Sequence, residues 1–241
     1  MAAPPMGRAP GPSRRALLAG AGGLAVGATG TGTAWALTSP ADPAPGPSKI
    51  VAPDDDLMRE HGVLKRVLLC YRELISRVQA GGPLPAQPLH DAALIIHDFI
   101  EGFHEGLEEA FIFPRLRRGR LDGTVTTLLV QHARGRVLTQ QILAQSTARG
   151  VTSAHTRGQL SAAMAAFVRM YEPHEAREDT VVFPAFRDAV PAGELADLAR
   201  HFADLEHQQF GTDEFTAMVA RVAGIEQALG IYDLAQFTPE A

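Results

Sequence analysis

Two stretches of this chain repeat one another in a way that leaves few folds open. His104-Glu105-Gly106-Leu107-Glu108-Glu109-Ala110-Phe111-Ile112-Phe113-Pro114 and His174-Glu175-Ala176-Arg177-Glu178-Asp179-Thr180-Val181-Val182-Phe183-Pro184 both read H-x-x-x-E-[ED]-x-x-[IV]-F-P, with ten residues from histidine to proline in each. On a helix, side chains four residues apart leave the same face. His104 is therefore paired with Glu108, and His174 with Glu178. Imidazole and carboxylate offered twice in this way predict the half-sites of a two-metal centre inside a helical bundle.

The rest of the chain reads as helix. No sustained period-two alternation occurs, and Gly and Pro fall at regular intervals. A first helix runs from Asp54-Asp55-Asp56 to Gln79, stopped by Gly81-Gly82-Pro83. A second starts near Pro88 and ends around Phe113-Pro114. A third spans about Thr124 to Ala148, and a fourth runs from a Ser153 N-cap to Phe183-Pro184. A single fifth helix, about Gly193 to Ala228, follows and packs outside the bundle. The fold class expected is all-α, an up-down-up-down four-helix bundle with an additional C-terminal helix.

Each of the four bundle helices sets ligand-type residues into its core stripe. The first gives Leu57, His61, Leu64, Leu68, Tyr71, Ile75 and Val78. The second gives Leu94, His97, Glu101, His104, Glu108 and Phe111. The third gives Val125, Leu129, His132, Arg136, Thr139 and Leu143. The fourth gives Leu160, Met164, Phe167, Tyr171, His174, Glu178 and Val181. One buried histidine is ordinarily satisfied by a neighbour. Four helices burying such groups together imply a shared partner, because an unpaired buried carboxylate or imidazole costs several kcal/mol.

Depth along the bundle tests this. Alternate helices run in opposite directions, so the starts of the first and third lie level with the ends of the second and fourth. His61 is seven residues past Asp54 and His132 eight past Thr124, while His104 and His174 each lie ten before their proline. At about 1.5 Å per residue the four histidines share one layer within about a turn. The chain is also doubled, with a helix pair H … H-x-x-x-E used twice about a pseudo-twofold axis. Imidazole plus carboxylate with open positions suits non-haem iron, with manganese or zinc as the less favoured ions.

Other classes are set aside by what the chain lacks. A net charge of −5 favours neither nucleic acid nor an anionic membrane surface. A solitary cysteine, Cys70, excludes a disulfide framework and every multi-cysteine metal motif. No H-E-x-x-H occurs, which argues against a zinc protease of that type. A ferritin-like site needs E-x-x-H on two helices; Glu101 and His104 supply it once, and the fourth helix has no counterpart.

Residues 1–36 read as a targeting segment. Ser13-Arg14-Arg15-Ala16-Leu17-Leu18 opens a weakly apolar, glycine-rich run ending at Ala34-Trp35-Ala36, an A-x-A cleavage pattern. It resembles a twin-arginine export signal, although the usual Phe and Lys are absent. The expected location is periplasmic or secreted, with an N-terminal membrane anchor as the alternative if the segment is not cleaved. Residues 37–53 are a proline-rich linker, residues 54–190 the bundle, and residues 191–241 a C-terminal helix and tail.

Arg59-Glu60-His61, the stretch from His104 to Pro114, Gln131-His132-Ala133-Arg134-Gly135-Arg136 and the stretch from His174 to Pro184 together resemble the hemerythrin-like (HHE) family over about residues 54–190. The resemblance implies a four-helix bundle holding a non-haem di-iron centre, two iron ions per chain. It places His61, His104, Glu108, His132, His174 and Glu178 on the family's ligand positions. One departure stands out. Oxygen-carrying hemerythrins have a second histidine one turn further along the third helix, and this chain has Arg136, whose protonated guanidinium cannot ligate a metal. Either one metal keeps an open position or Glu105, used by some family members, fills it. Such a site puts oxygen carriage in doubt and favours oxygen activation, peroxide or nitric oxide chemistry.

Three function classes follow. The first is an exported di-iron protein that binds or senses a small diatomic ligand, peroxide or iron. The second is a di-iron peroxidase or oxidase. The third, made improbable by the buried ligand layer, is a metal-free helical interaction module. Of the remaining residues, Tyr171 is placed to hydrogen-bond into the site or to pack beside it, and Arg136 to pair with Glu105 or Glu101 or to reach an anionic ligand. Pro173 is expected to kink the fourth helix, His97, one heptad from His104 and too far to join the same metal pair, to support a ligand or to be a satisfied core histidine, and Cys70 to be a buried thiol.

Overall fold

A computed structural model describes residues 51–239 apart from 118, 212 and 213. The targeting segment, and all but the last residues of the linker, lie outside the described residues. Helix α1 is Pro53–Gln79. Pro53 suits a first helical turn, where its missing N–H costs nothing, and three aspartates face the positive end of the helix dipole. Arg187 clamps that end, its guanidinium 2.5 Å from Asp54 and 2.7 Å from Asp55. At the other end the chain turns through Gly81 at φ 70°, the left-handed conformation glycine adopts freely.

Helix α2 (86–116) is built unusually. It starts as an α-helix at Ala86–Leu94, becomes π-helical over Ile95–His104, returns to α for Glu105–Leu107, is π-helical again over Glu108–Ile112 and closes with Phe113–Leu116. Helix α3 is Asp122–Gln145. Helix α4 (154–189) starts as Ala154–Arg177 with Ser153 capping the N–H of Thr156, passes through a π-helical Glu178–Val182 and ends with Phe183–Ala189. Its α-helical part continues through Pro173, where a kink is expected from sequence.

In the bundle α1 packs against α2 and α4, and α3 against the same two. The bundle expected from the sequence is therefore present, as helices one to four around a single core in which Leu57, Leu64, Leu74, Phe99 and Phe167 are fully enclosed.

In α2 and α4 the stripes depart from expectation at the π-turns; in α3, α-helical throughout, Leu128 and Ile142 are buried and the expected Leu129 and Leu143 only partly so. A π-turn closes its hydrogen bond over five residues rather than four, so each one shifts the phase of the helix face. In α2 the buried set becomes Ile95, Ile96, Phe99, Ile100 and Phe103, while the His97 side chain is 42% exposed and bonded to its neighbour Asp98. The core position expected for His97 is therefore corrected. In α4 the same slip buries Val182 instead of Val181.

The expected fifth helix is two. Helix α5, Ala192–Phe210, ends on Gly211 at φ 78°, and helix α6, Glu214–Leu229, follows. Oε1 of Glu206 accepts from the N–H groups of Glu214 and Phe215, so the break is capped by a residue of the preceding helix. Helix α6 lies against α1 and α2, outside the bundle. Among the described residues no helix is long and apolar enough to cross a membrane.

Candidate metal centre

The layer expected from the histidine depths is formed. His61 from α1, His104 and Glu108 from α2, His132 from α3 and His174 and Glu178 from α4 are all at most 4% exposed. His61, His104 and Glu108 bring one ligand atom each within 4.8 Å of one another, and His132, His174 and Glu178 do the same. The two groups share their carboxylates. Glu108 directs Oε1 toward His104 Nε2 at 3.6 Å and Oε2 toward His132 Nε2 at 3.4 Å. Oε2 of Glu178 lies 3.1 Å from His174 Nε2 and 3.5 Å from His61 Nε2. Each glutamate thus faces one histidine of each group, which is the placement of a bridging carboxylate.

All four imidazoles turn Nε2 inward because Nδ1 is held from outside. Nδ1–H of His61 donates to Asp179 at 2.7 Å, that of His104 to Glu60 at 2.7 Å, that of His132 to Glu109 at 3.0 Å, and that of His174 to Gln131 at 2.9 Å. The repeat explains the pattern. The acid after each shared glutamate (Glu109, Asp179) reaches the histidine of the opposite helix pair, and the residue before each early histidine (Glu60, Gln131) reaches the later one. The phenylalanine of each F-P covers that same opposite histidine. Phe183 stacks on His61 at 5.6 Å between centroids, and Phe113 on His132 at 5.5 Å. Both prolines follow directly on a π-turn, at the first turn of the restarted α-helix.

Both oxygens of Glu108 and both of Glu178 are buried without a hydrogen bond. Four partnerless oxygens ringed by four imidazole nitrogens are a donor set for cations. Hydrogen-bonded pairs would leave no carboxylate unsatisfied, and orphaned buried carboxylates are costly. Imidazole and carboxylate are ligands that iron, manganese and zinc accept, so the residues fit a divalent metal pair. Without a cation the same groups hold protons. Burial works against the His61 imidazolium, but the hydrogen bond to Asp179 and the Glu178 carboxylate 3.5 Å away outweigh it and lift its pKa to about 9. Burial likewise works against the Glu178 carboxylate, and the charges of His174 and His61 beside it hold it well below the usual carboxylate range.

Glu105 lies beside this layer, where it forms a third group of converging ligand atoms with Glu109 and His132. It is fully buried, its Oε1 accepts from the Tyr171 hydroxyl at 2.6 Å and its Oε2 from Arg136 at 2.6 Å. Its approach to His132 is to Nδ1, at 3.9 Å, the nitrogen facing away from the bridging carboxylates. Arg136, at the position of the missing histidine, also binds Glu109 at 2.7 Å. Glu109 is held down to about 2, chiefly by the His132 hydrogen bond, against burial and with help from Arg136. Tyr171 reaches Glu105 because Gly135 has no side chain; a Cβ there would overlap the tyrosine hydroxyl. Glu101, one turn below, accepts from Thr139 at 2.6 Å.

Sequence reasoning did not assign roles to Glu60, Gln131, Glu109, Asp179, Phe113 and Phe183. Their repetition at equal offsets in the two halves was the available signal. His90 bonds Ser146, His201 packs on Phe111, and His155 and His207 are exposed.

Fold and site together define a cation-binding four-helix bundle. The chain belongs to the hemerythrin HHE cation-binding domain family, whose profile matches twice, over residues 52–150 and 124–238. The two matches overlap over residues 124–150, and together they span the bundle and the helices that follow it. Uncharacterized proteins of Mycobacterium bovis and of two Mycobacterium tuberculosis strains are each 53% identical over 191 residues, which is 79% of this chain and 74% of theirs. No solved structure matches significantly.

Proposed function

We propose that this chain is an exported non-haem di-iron protein whose buried centre binds or senses a small ligand: dioxygen, nitric oxide or peroxide. His61 and His104 would hold one iron, His132 and His174 the other, and Glu108 and Glu178 would bridge them. The observation that carries this reading is the set of four partnerless oxygens on Glu108 and Glu178 facing four Nε2 atoms. Bound iron would supply a redox-active centre with open coordination positions for the small ligand. The chain's residues do the rest. Nδ1 partners fix the imidazole tautomers, Phe113 and Phe183 exclude water, and Arg136 with Tyr171 holds Glu105 aside. The test is the near-ultraviolet absorption of the iron-loaded chain before and after adding nitric oxide or peroxide. Bands that respond to either support the reading; a spectrum unchanged by every ligand contradicts it.

A second reading, turnover of peroxide with a reductant, draws on the hydrogen bond between Tyr171 and Glu105, a buried proton-bearing pair beside His132 and His174. Steady peroxide consumption lost in Tyr171→Phe would favour it over ligand binding alone. Export follows from Arg14 and Arg15 and the A-x-A pattern, and retention of an Arg14→Lys, Arg15→Lys variant in the cytoplasm would support it. The twin-arginine route carries folded chains, which allows metal loading before release.

A further inference from the structure

The two halves of the centre match in their histidines, their shared glutamates and the phenylalanines that cover them, and they differ in charge at what holds the later histidine. In the first half Nδ1–H of His104 donates to a carboxylate, Glu60, 3% exposed and at 2.7 Å. In the second, Nδ1–H of His174 donates at 2.9 Å to the amide oxygen of Gln131. Glu60 and Gln131 hold equivalent places, each directly before the early histidine of its helix pair. A charged acceptor draws the imidazole proton toward itself and makes Nε2 a stronger donor to a metal; a neutral amide does this far less.

The other anchor pair leans the same way. Asp179, which holds His61, has a Lys65 contact at 3.4 Å through its second oxygen, and that lysine is 53% exposed. Glu109, which holds His132, uses a single oxygen for both the imidazole and Arg136 at 2.7 Å, so part of its charge is taken by a guanidinium. Glu105 adds a further carboxylate beside the second half, but both its oxygens are occupied, one by Tyr171 and one by Arg136.

We infer that Glu60 and Gln131 are positioning residues that make the half-sites unequal, so that cations bind in two separate steps, the His61–His104 half first. The second ion, held through His132 and His174, is the more weakly bound and the more readily exchanged. This rests on the metal-binding reading proposed above.

The experiment is an anaerobic iron(II) titration of the full chain against a competing chelator, with bound iron as the readout. The wild type should show two steps separated by about 10- to 100-fold in affinity, the range over which outer partners of metal-bound histidines act. Gln131→Glu should strengthen the second step by about tenfold and bring the two together, a gain that damage to the fold would not produce. Glu60→Gln, nearly isosteric, should weaken the first step by a similar factor. Two ions taken up in one step by the wild type, or step spacing unmoved by both variants, would overturn this inference while leaving the metal centre standing. No iron uptake by the wild type would overturn both.

Discussion

The hydroxyl of Tyr171, on α4, donates to Oε1 of Glu105, on α2, at 2.6 Å, although the two are 66 positions apart in the chain. With Arg136 on its other oxygen, Glu105 is fully engaged before any cation arrives. Held in this way, Glu105 is predicted to position Arg136 beside the centre while Glu108 serves as ligand. Glu105→Gln should leave the number of bound metal ions unchanged, whereas Glu108→Gln should lower it. Metal analysis of the two purified variants checks this, and loss of an ion in Glu105→Gln would make Glu105 a ligand.

Gly135 makes that bond available. Any β-carbon at this position meets the Tyr171 ring and hydroxyl, in a region packed on both sides by α3 and α4. Gly135→Ala should cost roughly 1–3 kcal/mol, the range for overpacking a filled core, despite alanine's better helix propensity. Thermal or urea unfolding measures it. A variant as stable as the wild type would show that Tyr171 moves aside without loss.

Glu101 supplies a pH dependence with a definite sign. Burial raises its carboxyl to about 7, against the Thr139 hydrogen bond that lowers it. A carboxyl raised in the fold is favoured there in its protonated form. The stability it contributes is full below the ordinary carboxylate pKa and is lost as pH rises through about 7. Glu101→Gln keeps an acceptor for Thr139 and carries no charge. It should match the wild type near pH 5 and exceed it by about 1–3 kcal/mol at pH 8. Unfolding curves at the two pH values decide it, and a variant less stable than the wild type at pH 8 would count against this account.

Cys70 is fully enclosed in α1, and burial pushes its thiol up to about 12. It should resist alkylation at pH 8 in the folded chain and react at once on unfolding, since the thiolate is the nucleophile. Mass analysis after iodoacetamide treatment with and without denaturant gives the answer. Labelling of the folded chain would mean that α1 opens locally.

What the sequence revealed, and what it withheld, divide along a physical line. The H-x-x-x-E echo and the depths of His61, His104, His132 and His174 are consequences of helix pitch, so counting residues located the layer. The Nδ1 partners are contacts between distant segments: Asp179 and His61 are 118 residues apart, and no periodicity within a helix encodes that meeting. The π-turns were also invisible, because they replace one hydrogen-bond pattern with another without a characteristic residue. They moved His97 out of the core and Val182 into it. The break at Gly211 was open to reading, since a glycine after Phe210 is an ordinary helix stop.

The central claim is that Glu108 and Glu178 lie partnerless in the core because two metal ions join them to four histidines. The most direct measurement is the metal content per chain of protein purified after anaerobic iron loading. The account predicts about two irons per chain, reduced when His104→Ala is combined with Glu108→Ala. A wild-type chain that holds no metal, or a double variant with unchanged metal content and stability, would contradict it.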